Sequence, residues 1–201
     1  MKPTMITAAF LALAIPMGAC GSSSTVSTKA TTVATTAKDA AGQAAAFNDA
    51  DTAFAEGMIP HHEQAIEMAD MALDPTAGAS AKITTIAKAI KGAQDPEIAV
   101  MNGWLTAWGK DAPAGMAGMD HSTTAMPGMM TGADMTNLGR LTAVEFDKAW
   151  ATMMIAHHKG AIAMAKTVIK NGKSADAKTL AAAVIKGQLA EIDQMTALLK
   201  G

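Results

Sequence analysis

The sequence predicts an all-α protein, a four-helix bundle made of two duplicated helix hairpins. Three observations carry this. Met58-Ile59-Pro60-His61-His62-Glu63-Gln64-Ala65-Ile66-Glu67-Met68-Ala69 recurs 96 positions later as Met154-Ile155-Ala156-His157-His158-Lys159-Gly160-Ala161-Ile162-Ala163-Met164-Ala165. A second pattern, Gln94-x-x-Glu97-Ile98-x-x-Met101, recurs at an offset of 94 as Gln188-x-x-Glu191-Ile192-x-x-Met195. The composition is rich in Ala and Met, has no Tyr, and shows few β-branched alternations, which favours helix over strand. Two copies of a His-His segment, each followed by a Gln-Glu-Met segment, describe a duplicated hairpin rather than a solenoid. Two hairpins with one apolar stripe each bury those stripes best against one another.

Residues 1–20 read as an export signal. Lys2 supplies the positive start, and Ile6 to Met17 is an apolar run too short to span a bilayer as a helix. Gly18-Ala19-Cys20-Gly21 resembles the lipidation box of a bacterial lipoprotein, with Met17 where Leu is usual, so Cys20 is the expected lipid anchor. Because Cys20 is the only Cys, the rest of the chain has no disulfide and no thiolate ligand, and any soft metal ligand must be Met. Residues 21–46 are mostly Ser, Thr and Ala. Such a stretch cannot bury enough apolar surface to offset its ordering entropy and reads as a disordered tether.

Residues 47–201 have the length of one domain. Without Lys2 the chain carries 15 basic and 18 acidic side chains, a net charge of −3. No basic run interleaved with aromatics occurs, so nucleic acid is not an expected partner.

The first hairpin spans 47–110. Its first helix is expected from about Asn48, a good N-cap, to Ala72, with Asp74-Pro75 as the stop. Pro60 should kink or restart it just before the His pair. The second helix runs from about Ala79 to Trp108, with a kink expected at Pro96. The second hairpin spans 141–200. Thr142-Ala143-Val144-Glu145 has the form of a capping box. Asn171-Gly172 ends that helix, and the last runs from about Ser174 to Leu199. The slip from 96 to 94 makes the second inter-helix loop two residues shorter. On a helical wheel at about 100° per residue, Met58, His61, His62, Ala65, Met68 and Ala69 share one side, with Glu63, Glu67 and Asp70 opposite. The second copy behaves alike, so all four imidazoles should face the interior.

Between the hairpins, residues 113–137 fit no helical or strand period and read as a Met-rich loop. It holds Met116, Met119, His121, Met126, Met129, Met130 and Met135 among Gly, Pro and Ser/Thr. Six Met in a polar loop exceed what packing plasticity explains, and thioethers are soft metal ligands.

The paired M-I-x-H-H-x-x-A-I-x-M-A motifs, the Met126-Pro127-Gly128-Met129-Met130 run and Phe146-Asp147 resemble the bacterial family known as domain of unknown function 305. The resemblance covers about Phe47 to Leu199. It implies a ferritin-like four-helix bundle, and its exported members of the CopM type are copper-binding proteins associated with copper resistance. By that resemblance Met58, His61, His62, Met68, Met154, His157, His158 and Met164 are the expected metal residues. Met116, Met119, His121, Met126, Met129 and Met130 follow more weakly, because such loops vary.

The chemistry of the residues agrees. All five His lie in the two pairs or in the loop. Met58 and His62, and Met154 and His158, are spaced i, i+4 and share a helix face. A thioether beside an imidazole favours Cu(I), and imidazole also accepts Cu(II). Glu97 and Glu191 are candidates to orient the imidazoles from behind. The plainer reading of each His pair is a buried imidazole bonded to Glu97 or Glu191 as polar glue in the core. Trp104, Trp108 and Trp150 are expected to pack in the core or at a bundle end. The expected protein is therefore an exported copper buffer, held to the membrane by a lipid and able to pass copper to a trafficking partner, and not an enzyme. Two alternatives stand beside it. One is a structural or partner-binding lipoprotein. The other is a di-iron or di-manganese bundle oxidase, which the sequence disfavours because the residues three before each His are Met or Ile, not Glu.

Overall fold

A computed structural model of the chain describes residues 46–114 and 126–200. The export signal with Cys20, nearly all of the tether, and Met116, Met119 and His121 lie outside the described residues. Helix α1 runs over Asp49–Leu73, α2 over Ala81–Ala107, α3 over Gly132–Leu138, α4 over Ala143–Asn171 and α5 over Ala175–Lys200, with a 3₁₀ turn at Pro75–Ala77. Among the described residues there is no strand, and no helix is long and apolar enough to cross a membrane. α1 packs on α2, α4 packs on α5, and α1 packs on α4. The result is the four-helix bundle of two hairpins, with the His-His helices facing one another.

The helix starts follow local chemistry. Asn48 caps α1 by accepting from the backbone of Ala50 and Asp51, while Asp51 accepts from Asn48 N–H at 2.9 Å. Asp51 is fully buried. Its Oδ2 also accepts from Lys173 N–H at 2.8 Å and Ser174 N–H at 3.0 Å, tying the α4–α5 turn to the start of α1. A Cβ on Gly172 would sit 2.4 Å from Asp51 Oδ1, so the turn admits no side chain there. Asp51→Ala would strand three backbone N–H groups at a buried site. An expected loss of about 2–4 kcal/mol of stability, read from urea unfolding, follows.

α1 and α2 each continue through their prolines, Pro60 and Pro96, so α1 does not restart before the His pair. At Pro60 the buried neighbours Met58, Ile59, His61 and His62 hold the helix against the lost hydrogen bond. Thr142 makes no side-chain cap bond, because the chain enters α4 through Ala143 in the left-handed region, φ 53°. The stretch 113–137 is not wholly irregular. Thr131 and Asp134 form a capping box that starts α3, and Met135 and Leu138 on that helix are buried. The second hairpin is shortened differently from expectation. Its connection, 172–174, is four residues shorter than 74–80, and α4 overruns the position equivalent to Leu73 by two. The net slip is still two.

The apolar interior falls into two clusters. One joins Met68, Ile86, Phe146, Trp150, Met154 and Met195 with their neighbours. The other joins Phe54, Met58, Met101, Leu105, Ala161 and Val168 with theirs. Between them each hairpin contributes one His pair and one Gln-Glu pair, so a polar layer crosses mid-bundle. Trp150 donates from Nε1 to the Met68 carbonyl at 2.8 Å, stapling α4 to α1 next to that layer. At one end of the chain fold Phe47, Trp108 and Trp104 form a stack.

Candidate metal centre

His61, His62, His157 and His158 all have zero exposure, as the wheel of the duplicated motif requires. The direct packing of α1 on α4 brings the first His of each pair together. The His61 and His157 rings lie 3.8 Å apart, centroid to centroid, at 44°. The second His of each pair turns to its own hairpin. His62 Nε2 lies 2.7 Å from Glu97 Oε2, and His158 Nε2 lies 2.7 Å from Glu191 Oε2. The two carboxylates thus stand where the repeat in the sequence suggested.

These contacts decide which nitrogens are free. A carbonyl only accepts, so His61 Nε2, 3.1 Å from the Pro127 carbonyl, carries the hydrogen. A carboxylate accepting from His62 and His158 places the hydrogen on Nε2 there as well. In all three rings Nδ1 is buried with no partner. His157 has no partner on either nitrogen. Buried polar atoms without partners cost roughly 1–3 kcal/mol each. A group of them around two facing imidazoles fits a bound metal ion, which would use the lone pairs. The glutamates are the outer contacts that fix ring and tautomer. Gln94, with both amide atoms unpartnered, and the Gln188 carbonyl oxygen join the same layer.

Burial pushes His61 down to about 3, with the neighbouring His62 adding to the effect. Burial likewise holds His157 well below the ordinary value, helped by His61. Both rings are neutral at pH 7, the form that ligates metal. The sign for stability follows. An unfolded His takes a proton near 6.5 and folded His61 only near 3, so the unfolded state binds more protons in that window. The metal-free domain should therefore hold its full stability above about pH 6.5 and lose it as pH falls toward 3. Urea midpoints from pH 7.5 to 4 read this directly, and a flat profile would refute neutral burial of these rings.

The Met residues separate into groups. Met58, Met68 and Met154 are wholly buried in the apolar clusters. Met68 lies seven residues beyond His61, about 10 Å along the axis. Met129 is buried and Met130 packs against the first cluster. Met126 and Met164 are half-buried, and both sulfurs lie 3.7 Å from the point where a Cβ on Gly57 would be. Among the described residues no group of three His, Cys, Asp or Glu converges to hold a metal.

Four residues went unremarked in the motif reading. Gln64, fully buried, donates from Nε2 to the Met130 carbonyl at 2.9 Å and accepts from Met130 N–H at 2.7 Å. Gly128, at φ 81°, lies on α4 so closely that a Cβ would meet the Ala156 carbonyl at 2.7 Å. A Cβ on Gly160 would sit 1.8 Å from the Pro127 carbonyl oxygen. With Gly57 these residues lay Met126–Met130 across the His61–His157 pair as a strap. One sequence signal existed. Gln64 and Gly160 occupy the same place in the two motif copies, one offering a latch and the other a bed.

Residues 51–199 match the family model described as Domain of unknown function (DUF305). No curated protein matches the chain. Solved structures do. A DUF305 protein from Streptomyces coelicolor is 31% identical, the match covering 75% of this chain and 91% of that one, with a TM-score of 0.66. CopM in its Cu(II)-bound form is 33% identical over 75% of this chain and 95% of that one, with a TM-score of 0.63. CopM in its Cu(I)-bound form is 30% identical over the same shares, with a TM-score of 0.60.

Proposed function

Because the chain belongs to the DUF305 family, we propose that it binds copper, as an exported buffer rather than an enzyme. Lipidation at Cys20 would hold it at the membrane. The observation that carries the reading is the pair of facing, fully buried, neutral imidazoles His61 and His157, with unpartnered nitrogens between two apolar clusters. The likeness to CopM in its copper-bound forms supports the choice of metal.

His61 and His157 would supply the central nitrogens. His62 and His158 would flank them, steadied by Glu97 and Glu191. A copper ion would neutralise the cost of stranding these lone pairs, and the apolar clusters would exclude water from it. Imidazole with thioether favours Cu(I), and the nitrogens alone also suit Cu(II). Because His61 and His157 are already neutral and thioethers carry no proton, Cu(I) binding between them should need no deprotonation at neutral pH.

An anaerobic Cu(I) competition titration of residues 47–201 tests this. Tight binding that survives deletion of 115–125 is expected. Absence of competitive binding would end the copper reading and favour a structural or partner-binding role. Binding lost with that deletion would move the site into the loop and leave the imidazoles as core.

A further inference from the structure

An ion cannot reach four imidazoles of zero exposure unless something moves. Over the His61–His157 pair that something is the strap. The Pro127 carbonyl holds His61 Nε2, and Gly128 rests on the backbone carbonyls of Ala156 and His157. Among the described residues, apart from His61, the side-chain hydrogen bonds to the strap come from the amide of Gln64. At its leading end the strap places Met126 beside Met164, both sulfurs converging over Gly57. Gly57 is about one helical turn before His61 along α1. A side chain larger than Ala at 57 would occupy the space between the sulfurs.

The geometry points to a gated entry route: Met126 and Met164 form a half-buried docking site for a soft monovalent cation, and the Gln64-latched strap that carries Met126 is the gate to the imidazoles. The two sulfurs, each 3.7 Å from one point, need only rotamer changes to share an ion. Thioethers bind soft cations without a proton to lose. The ion moves from sulfur to nitrogen with no change of oxidation state. The strap also breaks the symmetry of the duplication. It engages one nitrogen of His61, Nε2, and makes no hydrogen bond to His157.

This inference rests on the copper reading, and two variants of the full chain test it. Gln64→Ala removes both latch bonds. Stopped-flow transfer of Cu(I) from a chromophoric chelator should speed about tenfold or more, with equilibrium affinity changing less than about threefold. Met126→Leu with Met164→Leu keeps the volume and removes the sulfurs. It should slow uptake about tenfold or more. Ag(I) added to protein carrying ¹³C-methyl Met should shift the Met126 and Met164 methyls even when all four His are Leu. Tight Cu(I) binding with unchanged rates in both variants, or silent methyls, overturns the gate and leaves the copper reading standing. No binding by the parent chain overturns both.

Discussion

Replacing His61, His62, His157 and His158 together with alanine is expected to cost at least about a thousandfold in Cu(I) affinity, on the order of 4 kcal/mol. The fold leaves few substitutes. Among the described residues no group of three His, Cys, Asp or Glu converges to hold a metal, and Met58, Met68 and Met154 are buried in the apolar clusters. Among the described residues the Met126–Met164 thioether pair remains as a soft donor pair. Alanine leaves cavities in mid-bundle, and those cost stability of their own. A leucine set is the control. It fills the volume, removes the unpartnered nitrogens and joins the two apolar clusters into one core. Helix content by circular dichroism should persist, and the leucine protein should unfold at higher urea than the alanine protein. Retained affinity in the folded leucine protein would show that the imidazoles are structural and the copper ligands lie elsewhere.

Gly160→Ala should lower stability by about 2–4 kcal/mol, although glycine to alanine in a helix ordinarily stabilises by up to about 1 kcal/mol. The new Cβ would sit 1.8 Å from the Pro127 carbonyl oxygen and 2.5 Å from its carbon. Both are backbone atoms, so no rotamer change relieves the overlap. The strap must lift, and the bonds from His61 to Pro127 and between Gln64 and Met130 go with it. Two other helical glycines give the contrast. Gly57→Ala meets only ordinary contact at 3.7 Å with two flexible thioethers, and Gly187→Ala meets nothing within 4 Å. These should be neutral to slightly stabilising. Unfolding midpoints of the three variants separate the steric effect from helix propensity, and equal midpoints would refute strap packing on α4.

Much of the fold is written in local pattern. The duplicated motif places Met58, His61, His62, Ala65 and Ala69 on one face, and all are buried. The paired Gln-x-x-Glu segments anticipated Glu97 and Glu191 behind His62 and His158, because their stripe lies on the partner helix of the same hairpin. Errors arose where tertiary forces oppose a local rule. Pro60 is carried through α1 by its buried neighbours. Thr131-x-x-Asp134 was a readable helix start lost among Met and Gly, and Met129 and Met135 are buried.

Periodicity and duplication by themselves determined the helices, the hairpins and the inward-facing imidazoles, since these depend on residue spacing within one element. Only the tertiary structure decided that His61 meets His157 while His62 and His158 turn to glutamates. It alone also assigned Gln64 to the strap and Gly160 to the space beneath it. These are relations between segments some 33 to 96 residues apart. They follow from how closely two backbones approach and which buried groups lack partners, quantities that no spacing along the chain records.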